Sequence, residues 1–316
     1  MEATRQPQDG LTSRSSYTES VVRILGILLA SALLAQTPQP TARALQSLLK
    51  EPPADDWVCP MDRDVRSSTP GKCPRCGMTM VLGIPDQVEY PVALKLTPRN
   101  FHAGQKVQFE FDISDPKTGR RVQDFQIVHE KLFHMFLVSQ DLQFFVHDHP
   151  VFGPDKVFRF ETVLPKPGMY RILSDFYPAG GTPQLVAKTL IVPGGNLNLA
   201  PAKLQPDLTP KQCANMRVEL TTDPPQPLAG FKTLLFFKVT PSDGLEKYLG
   251  AWGHMLAASE DLIDLIHTHP FLASGGPQLQ FNIIFPRASV YRVWVQFQRE
   301  GVVNTAVFNI PVQELK

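Results

Sequence analysis

One stretch of this chain occurs twice. His134-Met135, Ser139, Asp141-Leu142 and His147-Asp148-His149-Pro150 return as His254-Met255, Ser259, Asp261-Leu262 and His267-Thr268-His269-Pro270, and the first two histidines stand 13 positions apart in each copy. The match extends upstream, where Ala103-Gly104 and Val107-Gln108-Phe109-Glu110-Phe111 parallel Ala229-Gly230 and Leu234-Leu235-Phe236-Phe237. Downstream, Phe160, Pro165, Tyr170-Arg171 and Phe176 parallel Phe281, Pro286, Tyr291-Arg292 and Phe297. A correspondence of this extent implies two homologous domains, at 86–194 and 213–316, each of an ordinary domain size of roughly 100 residues. Residues 195–212, with Gly195, Pro201, Pro206 and Pro210, read as the linker between them.

Within each copy, apolar runs of 5 to 8 residues alternate with turn clusters such as Asp115-Pro116-Lys117-Thr118-Gly119 and Pro165-Lys166-Pro167-Gly168. These are strand and turn signals, and no helical period competes with them. The 20 glycines and 30 prolines speak further against long helices. The expected fold is mainly β, with two tandem immunoglobulin-like or cupredoxin-like antiparallel sandwiches. A net charge of +1 gives no field to attract nucleic acid or an anionic membrane surface, and 43% apolar residues exclude a disordered chain.

The repeated histidines suit a metal. Side chains alternate along a strand, so the two rings of His147-x-His149 share a face, as do those of His267-x-His269. With Gln140-Asp141 as a two-residue turn, His134 stands directly opposite His147; with Glu260-Asp261 as the turn, His254 stands opposite His267. Three imidazoles then converge in each copy, a donor set for zinc or copper(II). A slip of one residue would send them to opposite faces. Met135 or Met255 adds a softer donor only if the strand twists locally, and Asp148 faces away. The alternative keeps these histidines as hydrogen-bonded, fold-stabilising residues carried along by duplication. His102 and His129 read as surface residues, His129 being a distant candidate through its closeness to His134.

Ahead of the repeats, at 57–82, lies a cysteine module: Trp57-Val58-Cys59-Pro60-Met61-Asp62, then Pro70-Gly71-Lys72-Cys73-Pro74-Arg75-Cys76-Gly77-Met78. It resembles the small heavy-metal-binding domain of copper-exporting P-type ATPases and periplasmic metal-efflux adaptors, whose pattern is aromatic-x-Cys-Pro-Met-His-Pro, a spacer, then Pro-Gly-x-Cys-Pro-x-Cys-Gly-Met. The resemblance implies a soft-metal site, and the thiols of Cys73, Cys76 and Cys59 can share one ion. Asp62-Arg63 replaces the family's His-Pro, so Asp62, Met61 and Met78 are the further candidate ligands. The alternative is a Cys73–Cys76 disulfide with Cys59 unpaired or joined to Cys213. Cys213 itself is given no role.

A 12-residue apolar run, Ile24 to Ala35, follows Arg5, Arg14 and Arg23. It has the length of a secretory signal rather than the ~20 residues of a spanning helix, with cleavage after Ala35 or after Ala42-Arg43-Ala44. Residues 1–35 are therefore expected to be a signal peptide, an uncleaved anchor being the rival and the chain's one route to a membrane; 36–56 form a linker. The expected function is that of an exported, periplasmic, non-enzymatic protein that sequesters, carries or senses copper, zinc or a related ion, with a metal-efflux system as partner. A copper-dependent redox enzyme and a metal-free interaction module are the other readings, the latter using Phe144, Phe145 or Trp252 as a contact patch.

Overall fold

The computed structural model describes residues 57–59, 65–82, 89–195, 199–271 and 275–315. They belong to one compact unit, Asp55–Lys316. The expected signal peptide and the linker at 36–56 lie outside the described residues, as do Met61 and Asp62. Among the described residues no helix is long and apolar enough to cross a membrane.

The cysteine module is a three-stranded antiparallel sheet of β1 (Trp57–Val58), β2 (Arg66–Ser67) and β3 (Val81–Leu82), with β1 in the middle. Its small core is Cys59, Cys73 and Met80. The first sandwich pairs a sheet of β4 (Val92–Thr97), β5 (Lys106–Ile113), β9 (Phe158–Val163) and β8 (Val151–Phe152) with one of β11 (Gln184–Val192), β10 (Gly168–Phe176), β6 (Phe133–Ser139) and β7 (Phe145–Asp148). The second sandwich follows the same order. One sheet runs β12 (Lys211–Gln212), β13 (Arg217–Asp223), β14 (Lys232–Thr240), β18 (Gln278–Ile284). The other contains β20 (Val302–Val312), β19 (Ser289–Arg299), β16 (His254–Ser259) and β17 (Leu265–Thr268), with the short β15 (Leu245–Glu246) also on β19. The protein is mainly β, two antiparallel sandwiches behind a small module.

Strands β5 and β14 alternate buried and accessible residues, as one-sided strands should. Strands β6 and β16 are buried at every position. Met135 and Leu137 fill the first sandwich core, while Phe136 and Val138 leave by the other face and meet Leu256, Ala258, Leu262 and Trp294 of the second sandwich. Phe145 stacks on Trp294 with centroids 4.8 Å apart and planes 8° from parallel. The sandwiches therefore share a third apolar core, made by the sheet of each that carries the histidines. Phe145 belongs to this core, Phe144 packs into the first sandwich and Trp252 against the second, so the contact patch expected of these aromatics is replaced by internal packing.

The linker is pinned to both domains. Ala200 O accepts from Gln140 Nε2, Ala202 N donates to Glu260 O, and Asp207 pairs with Asn309 on β20.

The hairpin turn differs from the sequence expectation. Phe136 faces His147 and Met135 faces Asp148, a shift of two residues from the anticipated pairing; in the second copy Leu256 faces His267. The loops are longer because Ser139 Oγ bonds Asp141 and accepts from Phe144 N, and Leu142 takes a positive φ of 58°. Ser259, Asp261 and Leu262 (φ 56°) repeat the device. A shift of two preserves parity, so His134, His147 and His149 stay on one face.

Candidate metal centres

In the cysteine module a tight turn gathers the thiols. Cys73 N donates to Met78 O, Gly77 N donates to Cys73 O, and Gly77 adopts a φ of +76° that a side chain would strain. The backbone amides of Arg75 and Cys76 point at the Cys73 sulfur. Strand β1 then brings in Cys59, whose Sγ lies 3.4 Å from that of Cys76, beyond disulfide length. One donor atom from each of Cys59, Cys73 and Cys76 lies within 4.8 Å of the others. Burial pushes the Cys73 thiol up; contact with Cys59, then burial, pushes Cys76 up. Three thiols at this spacing resist ionisation together, and a bound cation reverses that balance. Met78 enters the turn through its backbone. Cys213 sits apart, its Sγ donating to Thr305 O at 3.5 Å, so the proposed link to Cys59 does not form.

The histidines form two triads, His134/His147/His149 and His254/His267/His269, each with donor atoms within 4.8 Å of one another. In the first, His149 Nε2 is 3.1 Å and His147 Nε2 is 3.4 Å from His134 Nδ1. The outer nitrogens are anchored. His134 Nε2 meets Val128 O at 2.9 Å, and His147 Nδ1 meets Gln296 Oε1 at 2.7 Å. Gln296 Nε2 is engaged by Thr305 Oγ1 at 3.1 Å, which turns the amide oxygen towards His147. Each outer nitrogen must carry the proton, and each inner one presents a lone pair.

The second triad repeats this. His254 Nε2 meets Tyr248 O at 2.9 Å, His267 Nδ1 meets Asp175 Oδ2 at 2.7 Å, and His269 Nε2 lies 2.9 Å from His254 Nδ1. The inner Nε2 of His267 is buried without a hydrogen-bond partner. The carbonyls of Val128 and Tyr248 come from equivalent two-residue turns, His129-Glu130 and Leu249-Gly250, with positive φ at both central positions.

The supporting groups cross between domains: Gln296 of the second sandwich orients His147 of the first, and Asp175 of the first orients His267 of the second. Asp175 pairs with His134 across β10 and β6, and Gln296 with His254 across β19 and β16, so the two occupy equivalent positions. The triads consequently abut. His134 and His254 stack with centroids 5.9 Å apart, and His147 lies 5.4 Å from His254. His129 lies against His269 with centroids 3.9 Å apart and planes 31° from parallel, so of its two sequence readings, surface residue and distant candidate, the structure removes the first and places the ring in the cluster. His102 is exposed. Met135 and Met255 point into the sandwich cores, so neither supplies a sulfur donor, and Asp148 is exposed.

Burial, reinforced by repulsion among the rings, holds six of the histidines neutral: His134 is lowered to about 4, His129 and His149 to about 3, and His147, His254 and His269 well below the ordinary histidine range. Burial pushes Asp175 up, but its bond to His267 and the surrounding imidazoles leave it below the usual carboxylate range. A cavity of about 260 Å³ lined by Cys73, Cys76, Trp252, His129 and His269 lies between the thiols and the imidazoles. A larger one of about 340 Å³, among Asp141, Lys166, Met169 and Ala200, touches none of these donors.

Among known proteins, a family model described as Domain of unknown function (DUF8832) matches residues 86–194 and again 211–314. A second, the Heavy metal binding domain, matches 57–81. Among curated proteins nothing matches the chain. Among solved structures, the fibronectin(III)-like modules of Clostridium thermocellum CbhA share 8% identity over 70% of this chain and 95% of theirs, with a TM-score of 0.20. The adhesin InvE of Yersinia pseudotuberculosis shares 10% identity over 72% of this chain and 61% of its own, with a TM-score of 0.23. Similarity at that level carries no weight here, and the fold rests on the strand order.

Proposed function

The chain belongs to the family defined by the domain of unknown function DUF8832, which it carries twice behind a heavy metal binding domain, and from that premise we propose that it is an exported, non-enzymatic metal-binding protein. It holds copper, zinc or a related ion at a thiol site and at imidazole sites, in the service of a metal-efflux system. Thiolates suit the reduced, softer ion and imidazoles the divalent one, so one chain serves both states.

The observation that carries the reading is the anchoring of the rings. His134 and His147 each give their outer N–H to a fixed acceptor, and so do His254 and His267. Two inner lone pairs in each triad are therefore turned inwards in a buried setting, with the Nε2 of His149 or His269 beside one of them at 3.1 or 2.9 Å, the place where a cation would gather all three nitrogens. A purely fold-stabilising histidine would satisfy both nitrogens, whereas the Nε2 of His267 has no hydrogen-bond partner. Export is supported by the apolar run Ile24 to Ala35 after three arginines.

The test is metal analysis of the purified full chain by mass spectrometry after anaerobic reconstitution. About three equivalents are expected, one for each donor set. Replacing Cys59 and Cys76 by serine should remove one, and replacing His149 and His269 by alanine should remove two. Retention of no copper or zinc by the folded protein would refute the proposal.

A further inference from the structure

We infer that the two histidine triads form a single dinuclear centre at the seam between the sandwiches, and that Asp175 makes its two ions unequal. The inference rests on the metal-binding reading above and adds the coupling between the sites, which that reading does not require.

The rings set the distance. Within the triads, His134 and His147 have centroids 5.7 Å apart, and His254 and His267 are 6.0 Å apart. Between the triads, the same four rings are separated by 5.9, 5.9, 5.4 and 6.2 Å. These four rings are thus as close across the triads as within them, while His149 and His269 sit nearer their own triads, at 4.5 to 4.9 Å from each partner ring. With metal–nitrogen bonds of about 2.0 to 2.1 Å, two ions seated among these rings occupy adjacent positions in one chamber. Phe136 packs against both triads, its ring 4.3 Å from His147 and 4.6 Å from His267.

The chamber also fixes the charge. An imidazole brings no charge to a metal it binds, and among the described residues Asp175 is the one carboxylate hydrogen-bonded to these rings. Two divalent ions bring four positive charges against that one negative charge in a poorly solvated site, so a small anion such as hydroxide must accompany them, and the place between the ions is where it offsets most repulsion. The site class is therefore a pair of first-row ions, copper foremost, held by three imidazoles each and bridged by a small anion.

Inequality follows from one substitution in the repeat. Asp175 and Gln296 hold equivalent positions, each bonding the Nδ1 of a histidine in the opposite domain at 2.7 Å. A carboxylate makes the attached imidazole a stronger donor than an amide does. His267 is that imidazole, so the triad His254/His267/His269 fills first. Asp175 is a positioning residue, acting on the ion through His267.

The test uses the full chain with Cys59, Cys73 and Cys76 changed to serine, so that the imidazole sites alone are titrated with Cu(II). Two copper ions per chain are expected, with an integrated paramagnetic resonance signal well below two spins and a half-field line. His149→Ala and His269→Ala should each retain one copper with one full, uncoupled spin. Two ions giving two full, independent spins would overturn the dinuclear centre and leave the metal reading intact; retention of no copper overturns the centre together with the imidazole half of the metal reading, which the unsubstituted chain then tests at its thiols alone. Asp175→Asn keeps the side-chain volume and should weaken the first binding step by about 10- to 100-fold, closing the gap to the second step. Gln296→Glu should strengthen the weaker step. With native circular dichroism verified, an Asp175→Asn protein with unaltered stepwise affinities, or with both steps weakened equally, overturns the assigned role of Asp175.

Discussion

Acid should open the seam between the sandwiches in the metal-free protein, and the size of the effect follows from the buried imidazoles. His134 is 2% exposed and lowered by burial from 6.5 to about 4. Between those values the unfolded chain binds a proton that the folded chain refuses. Each step down in pH in that window favours unfolding; the contribution of His134 is fully present above pH 6.5 and is lost as the pH falls towards 4. At pH 5 the loss from this side chain is about 2 kcal/mol, since each pH unit is worth about 1.4 kcal/mol. His129 and His149, both held at about 3, act in the same direction, as do His147, His254 and His269. Their protons repel one another, so the losses are not independent; a total of about 4 kcal/mol or more is expected, a large share of the ~5 to 15 kcal/mol that holds a domain folded. Asp175, held below the carboxylate range, withdraws its own contribution further down, as the pH drops through its folded value. The assay is urea unfolding in a chelator at pH 7.5 and pH 5, followed by circular dichroism and by the fluorescence of Trp294, which is 3% exposed and stacked on Phe145 in the seam. A stability that changes by less than about 1 kcal/mol between the two pH values would refute the reasoning, because rings that titrate normally are not buried and neutral.

Two further substitutions probe the seam and the thiol site separately. Phe136 is 1% exposed and packed against rings of both triads, so Phe136→Ala should cost about 3 to 5 kcal/mol in urea unfolding at neutral pH, and a loss under about 1 kcal/mol would show that the sandwiches do not pack through this face. At Gly77 an added Cβ meets nothing within 4 Å, so Gly77→Ala carries only the strain of its φ of +76°, about 1 to 2 kcal/mol, read as a roughly tenfold weaker hold on metal by the cysteine module in a chelator competition while the imidazole sites keep theirs.

The strand content, the sandwich pair and the shared face of each His-x-His were all legible from local pattern, because alternation along a strand is a property of the backbone alone. The thiol module was legible for a related reason: Cys73, Cys76 and Gly77 are brought together by one turn, and the return of Cys59 needs only one neighbouring strand. The strand register differs by two residues from the sequence expectation because the side chains of Ser139 and Asp141 lengthen the loop; that bonding leaves no mark on hydrophobic periodicity, yet it keeps the parity on which convergence depends.

What the sequence by itself determined is what a few consecutive residues decide: which segments extend, which side chains share a face, and that each copy carries three imidazoles able to meet. What only the tertiary structure decided is how the copies dock. The unbroken burial of β6 and β16 belongs to that docking, since a strand covered on both faces needs a second partner. Which partner, and which residues it contributes, depends on surfaces far apart in the chain; Asp175 and His267 are 92 positions apart, and His147 and Gln296 are 149. His129 enters the cluster by stacking on a ring of the other domain, although its own repeat partner, Leu249, has no such chemistry. Contacts of that separation are set by the packing of two folded faces, and no local pattern encodes them.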